Sequence, residues 1–135
     1  SLFKTEKEIL DLARLAASQN IPLTASEVLE RGINDGIVPR NRESLILLGN
    51  IYIQAREYDR GIESLTAAAD ISNDSKLYLR VANLYSDLQQ WDSVLKVLGE
   101  HLPDEPQLKS RGLLLKGIAL YENERVDESR KTLTG

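Results

Sequence analysis

Apolar residues recur along this chain with the period of amphipathic helices rather than with the alternation of strands. From Leu45 onward, apolar residues follow one another three or four positions apart, so they share one helix face. Short polar stretches with glycine or proline separate these segments. The pattern predicts eight helices in four hairpins, at residues 5–19 and 24–35, 42–55 and 58–71, 75–88 and 91–101, and 107–122 and 125–134.

One local pattern occurs three times at a nearly constant spacing. A bulky residue followed directly by aspartate stands at Tyr58, Trp91 and Val126, and the three aspartates are 33 and 35 residues apart. Nine residues before each bulky residue stands a small one, namely Gly49, Ala82 or Gly117. We expect a small residue there because the two helices of each hairpin must approach closely. Fixed offsets of this kind indicate stacked structural repeats.

The amino-terminal stretch fits a divergent copy of the same unit. Capping boxes at Thr5–Glu8 and Thr24–Glu27 predict two helix starts, and Gly36 with Pro39 ends the second helix. The chain is therefore predicted to form one repeat domain over residues 1–135. It divides into a divergent repeat at 5–39, repeats at 42–74 and 75–108, and a partial repeat at 109–135.

The repeated positions carry a recognisable set of residues. They are Leu45, Leu48, Gly49, Tyr52, Gly61, Leu65 and Ala68 in one repeat, Tyr78, Val81, Ala82, Tyr85, Val94 and Leu98 in the next, and Leu113, Lys116, Gly117, Leu120, Ser129 and Leu133 in the last. This set resembles the tetratricopeptide repeat family, from which Lys116 and Ser129 depart. The resemblance implies an all-α, right-handed solenoid of about four helix–turn–helix hairpins.

The resemblance also implies where a partner would bind. Members of the family hold a peptide in a concave groove lined by the first helix of each repeat. The implied peptide-binding residues are Asn50, Gln54, Lys76, Arg80, Asn83, Asp87 and Tyr121. On the last repeat, the groove-facing positions are Arg111, Leu114, Leu115, Ile118, Tyr121 and Glu122.

Four of these side chains suggest specific chemistry. Asn50 and Asn83 occupy the same repeat position, and a carboxamide can both donate to and accept from a peptide backbone. The alternative, that both are ordinary solvated surface residues, stays open. Lys76 and Arg80 match only part of the carboxylate clamp that some family members use. They could still attract an acidic segment.

Composition and residue inventory exclude several functions. A net charge of −4 does not favour nucleic acid as a partner. The chain has no cysteine, and its only histidine, His101, lacks the partners of a triad or zinc site. The cluster of Asp70, Asn73 and Asp74 lacks the spacing and glycine of a calcium loop. We therefore predict no enzyme, no catalytic residue, no metal and no cofactor.

The leading hypothesis is a scaffold that binds a peptide or protein segment in the groove. The alternative is a structural or oligomerisation module that self-associates through its terminal repeat, in a bacterial cell-envelope or transport-associated complex. We also expect the chain to be a fragment of a longer protein, because it starts without methionine and ends inside a helical pattern. No apolar run is long enough to span a membrane, and the compartment stays open between cytoplasm and periplasm.

Overall fold

The computed structural model describes residues 5–134, with side chains for residues 5–131. The amphipathic segments within this range form α-helices. Within these residues there are seven helices and no strand: α1 (Glu6–Ser18), α2 (Pro22–Asn34), α3 (Arg42–Gln54), α4 (Tyr58–Ser72), α5 (Ser75–Asp87), α6 (Trp91–His101) and α7 (Pro106–Thr134). Successive helices pack as antiparallel pairs, α1 on α2, α3 on α4 and α5 on α6, and α7 packs on both α5 and α6. The predicted all-α architecture is confirmed.

The helices form two compact units, one ending at Asn73 and one beginning at Asp74. The first unit contains α1 to α4, and its core includes Ile9, Ala13, Leu29, Val38, Ile51 and Tyr52. The second contains α5 to α7, and its core is formed by Leu79, Ala82, Val94, Leu98, Leu115 and Ala119. Among the helices of the described region, none combines the length and apolar character that crossing a bilayer requires.

The three hairpin turns share one backbone conformation. In each, the residue after the helix cap is left-handed: Asn20 (φ 60°), Arg56 (φ 61°) and Gln89 (φ 58°). In the α1–α2 turn, the Ile21 N–H donates to the Ala16 carbonyl and the Asn20 N–H donates to the Ala17 carbonyl, at 2.9 and 3.0 Å. The same pair of bonds closes the other two turns, so each first helix ends in a Schellman motif.

Close approach of the two helices is confirmed in the α3–α4 hairpin. A Cβ on Gly49 would lie 2.8 Å from Cγ of Leu65 and 3.2 Å from the carbonyl oxygen of Gly61. A Cβ on Gly61 would lie 2.7 Å from Cγ1 of Ile53. In the α5–α6 hairpin, the equivalent Ala82 is fully buried. The small residues at these repeat positions therefore set the distance between the helices.

The predicted final hairpin is wrong, because α7 runs without a break from Pro106 to Thr134. The expected turn would place Glu124 in the left-handed conformation that Arg56 and Gln89 adopt, and the segment after it carries only Val126 and Leu133 as apolar residues that could pack back and offset that cost. With no second helix folded back, a Cβ on Gly117 would have no atom within 4 Å. Leu113 and Leu120, which occupy positions of the repeated pattern, are 49% and 53% exposed. The side chain of Leu133 lies outside the described residues.

Of the two helix starts predicted from capping boxes, the first is found where expected and the second is not. The Thr5 hydroxyl accepts a hydrogen bond from the Glu8 N–H at 3.2 Å and donates to Oε1 of Glu8 at 2.9 Å, so the predicted cap of α1 by Thr5 is confirmed. The predicted box at Thr24 is wrong, because α2 already begins at Pro22. Proline suits the first position of a helix, where no N–H is needed and its φ angle is already helical.

Candidate functional site

A groove of about 520 Å³ lies between the amino-terminal parts of α5 and α7 in the second unit. Its α5 wall consists of Lys76, Leu79, Arg80 and Asn83. The opposite wall consists of Gln107, Leu108 and Arg111 of α7 together with Glu105, which directly precedes α7. The α5 residues are three or four positions apart, so they share one helix face. Of the predicted site residues, Lys76, Arg80 and Asn83 are thus brought together, and Arg111 faces them from α7.

The core of the second unit holds the two walls of this groove in place. Leu115 and Ala119 of α7 are buried in the cluster that also contains Leu79. At Gly112, a Cβ would lie 2.7 Å from Cδ1 of Leu102, so α7 approaches the α6–α7 connection closely. The prediction that Leu115 faces the groove is wrong, because this side chain anchors α7 to α5 and α6.

A polar contact holds α7 farther along its length. The Asn123 side-chain amide donates to Oδ1 of Asp92, at the start of α6, at 2.7 Å. Asp92 belongs to the repeated pattern of a bulky residue and aspartate, and this contact gives that aspartate a role that the sequence did not predict. The bond fixes α7 against α6 beyond the last buried apolar residue.

The groove is locally cationic although the chain as a whole is not. Three cationic side chains, Lys76, Arg80 and Arg111, line it together with a single carboxylate, Glu105. Lys76 and Arg111 are exposed, and Arg80 is partly buried. The net charge of the whole chain is −4. A concentration of positive charge in one concave place favours an anionic ligand there.

From Arg111, the same face of α7 continues as an exposed apolar stripe. Leu114, Ile118 and Tyr121 are 68%, 44% and 62% exposed, and they follow at helical spacings of three and four residues. We call these three residues the α7 stripe. Tyr121 lies about 15 Å along the helix from Arg111, at a rise of about 1.5 Å per residue. It therefore lies beyond the groove on the same helix face.

The remaining predicted residues lie elsewhere. Asp87 is exposed on α5, one turn beyond Asn83 and outside the groove lining. Asn50 and Gln54 belong to α3 in the first unit, and both are exposed. The Gln54 amide donates to the Ala17 carbonyl at 2.9 Å and to Oδ1 of Asn20 at 3.4 Å. Gln54 thus ties α3 to the first hairpin turn, a structural contact that the sequence did not predict.

A second concavity, of about 340 Å³, lies in the first unit and centres on Tyr52. The Tyr52 hydroxyl donates to Oε2 of Glu30 at 2.5 Å, and the Arg60 guanidinium lies 5.8 Å from the Tyr52 ring centroid. Burial, followed by the Glu30 carboxylate, raises the pKa of Tyr52 to about 12. These contacts join α2, α3 and α4. The concavity carries charged residues of both signs and favours neither.

The polar residues considered for catalysis or metal binding have structural partners. The His101 ring stacks on Tyr78 with centroids 3.6 Å apart. Asp74 caps α5, since its Oδ1 accepts from the Lys76 N–H at 2.9 Å and from the Leu77 N–H at 3.3 Å. In the part of the chain that the structure describes, no three histidine, aspartate or glutamate residues are grouped to hold a metal ion.

Comparison with known proteins supports the fold and nothing narrower. The sequence matches no family model and no curated protein. Among solved structures, the crystal structure of MamA, a tetratricopeptide-like protein, is similar with a TM-score of 0.61 and 15% identity. The similarity covers 93% of this chain and 82% of that chain. The fold fits a helical repeat of tetratricopeptide type. At this identity, the likeness concerns the fold alone.

Proposed function

We propose that this chain is a protein-interaction module that holds a segment of another protein in the groove between α5 and α7. The observation that carries the proposal is the convergence of Lys76, Arg80, Asn83 and Arg111 on one concave surface. The likeness to a tetratricopeptide-like fold, which generally serves as a non-enzymatic scaffold, supports a role in protein interaction. Fold alone does not define a site, so the proposal depends on the groove.

The lining of the groove offers the contacts that a peptide needs. Leu79 is buried and Leu108 partly buried, so both give the floor an apolar character. The Asn83 carboxamide can donate to a backbone carbonyl and accept from a backbone N–H. The groove thus combines two leucines with charged and amide side chains, and polar groups of this kind orient a bound ligand.

Asn83→Ala is expected to weaken binding without lowering thermal stability. Asn83 is exposed, so its loss leaves no buried group unsatisfied, while one lost hydrogen bond corresponds to about a threefold to tenfold loss of affinity. The experiment is a titration of the isotope-labelled chain with a mixed library of short peptides, followed by amide chemical shifts. Lys96→Ala, at an exposed position of α6, is the matched control. Shifts that avoid α5 and α7 would contradict the proposal.

Self-association is a second candidate function, favoured by another face of α7. Leu113, Gly117 and Leu120 are exposed there, where the sequence pattern expects a packed helix. We expect the sedimentation coefficient of the chain to rise with concentration, and Leu120→Ser to abolish the rise. Leu15→Ser, which changes an exposed leucine of α1, is the control. A monomer at every concentration would rule this candidate out.

A further inference from the structure

We infer that the segment bound by this module is acidic at one end and apolar at the other. Its carboxylate side chains would pair with Lys76, Arg80 and Arg111 in the groove, and its apolar side chains would lie on the α7 stripe. This inference rests on the proposed function and specifies the partner of that same groove. The observation behind the inference is that the α7 side of the groove and the α7 stripe lie on one continuous face of α7.

The three cations come from two helices and surround one space. Lys76 and Arg80 are one helical turn apart on α5, and Arg111 lines the opposite wall on α7. A guanidinium matches the geometry of a carboxylate with two parallel hydrogen bonds. Because Glu105 is the one carboxylate of the lining, the positive charge exceeds the negative charge there. A local excess of positive charge favours acidic side chains in the bound segment.

The α7 stripe supplies the apolar half of the site. A row of three large apolar side chains on one exposed helix face is unfavourable in water and suits the apolar side chains of a partner. Tyr121 is 62% exposed, and tyrosine is a frequent anchor of binding interfaces because it offers both a ring and a hydroxyl. Leu114 lies three residues beyond Arg111, so the apolar surface begins where the cationic groove ends.

The length of this surface sets the spacing within the partner. Arg111 and Tyr121 are separated by about 15 Å along α7. An extended chain covers that distance in roughly five residues. The bound segment should therefore carry its acidic residues within about five positions of a large apolar residue.

The test uses a synthetic peptide with acetylated and amidated ends. It contains three aspartates, a serine–glycine spacer, and then leucine and phenylalanine. A second peptide has asparagine in place of aspartate, and a third has serine in place of both apolar residues. Affinities are measured by isothermal titration calorimetry with the intact chain. We expect the asparagine and serine peptides each to bind at least about tenfold more weakly than the parent peptide.

Variants of the protein test which residues bind the acidic part of the peptide and which bind its apolar part. Arg111→Gln should lower the affinity for the aspartate peptide about threefold to tenfold and leave the affinity for the asparagine peptide unchanged. Lys109→Gln removes the same charge from an exposed position of α7 outside the groove lining, and should affect neither peptide. Leu114→Ser should weaken binding of the parent peptide and leave binding of the serine peptide unchanged. Leu113→Ser, at the neighbouring exposed leucine, should leave the binding of both peptides unchanged.

Three outcomes would overturn the inference. The first is equal affinity of the chain for the aspartate and asparagine peptides. The second is an equal effect of Arg111→Gln on the binding of both peptides. The third is full recovery of affinity when the asparagine peptide carries a free terminal carboxylate. In each of these cases, chemical shift changes around Asn83 on addition of the library peptides would still support the proposed function. Library peptides that perturb neither groove wall would remove the proposed function itself.

Discussion

Alanine at Gly49 and alanine at Gly117 should change the stability of the chain in opposite directions, although both glycines occupy the same repeat position. At Gly49, the added Cβ would lie 2.8 Å from Cγ of the fully buried Leu65 and 3.2 Å from a backbone oxygen. Neither neighbour can move freely, so we expect a loss of about 1–3 kcal/mol in the free energy of unfolding. At Gly117, nothing lies within 4 Å, and alanine should add up to about 1 kcal/mol through helix propensity.

Urea denaturation followed by circular dichroism measures both variants against the parent chain. The pair is internally controlled, because the same chemical change is made at equivalent positions of α3 and α7. A destabilising Gly117→Ala of similar size to Gly49→Ala would show that a helix packs on Gly117 in solution. It would therefore contradict the continuous α7 and restore the hairpin predicted from the sequence pattern.

The sequence predicts the central hairpins well because local and tertiary signals agree there. The predicted bounds of α3 to α6 lie within one residue of those observed, and the Gly49–Gly61 approach is found as expected. In α7, the signals are ambiguous. Leu115, Ala119 and Val126 share one face of a straight helix, so the apolar period fits a continuous helix as well as a hairpin. Periodicity alone could not decide between them.

The candidate site was predictable on α5 and less so on α7. The spacing of Lys76, Arg80 and Asn83 places all three on one face of a helix whose opposite side carries core residues. The contribution of Glu105, Gln107 and Leu108 depends on how α7 enters the structure after Pro103 and Pro106, which only tertiary packing determines. Leu115 was misplaced for the same reason, because its burial depends on the angle at which α7 crosses α5 and α6.

The unbroken α7 links the two halves of the proposed site. Its first turns form a wall of the groove, and its middle carries the α7 stripe on the same side. Leu115 and Ala119 hold the helix from an adjacent side, and the Asn123 side-chain amide donates a hydrogen bond to Asp92 farther along. The apolar half of the surface is thus presented by a helix that the core already holds in place. A partner would not need to order it on binding.

Leu65→Ala should have the largest effect on stability among these substitutions, and should suppress the effect of Gly49→Ala. Leu65 is fully buried, and removing its side chain leaves a cavity, so we expect a loss of about 2–5 kcal/mol in the free energy of unfolding. The same cavity removes the atoms that a Cβ on residue 49 would meet. In the double variant, the cost of Gly49→Ala should therefore fall by about 1–2 kcal/mol.

A double-mutant cycle measured by urea denaturation tests this coupling. The control cycle combines Gly49→Ala with Leu98→Ala, which removes a leucine buried to a similar extent in the core of the second unit. Its two effects should add within about 0.5 kcal/mol, because the sites share no partner. If Gly49→Ala and Leu65→Ala were equally additive, contact with Leu65 would not be the reason for glycine at position 49. The approach of the Gly61 carbonyl would then remain as the physical cause.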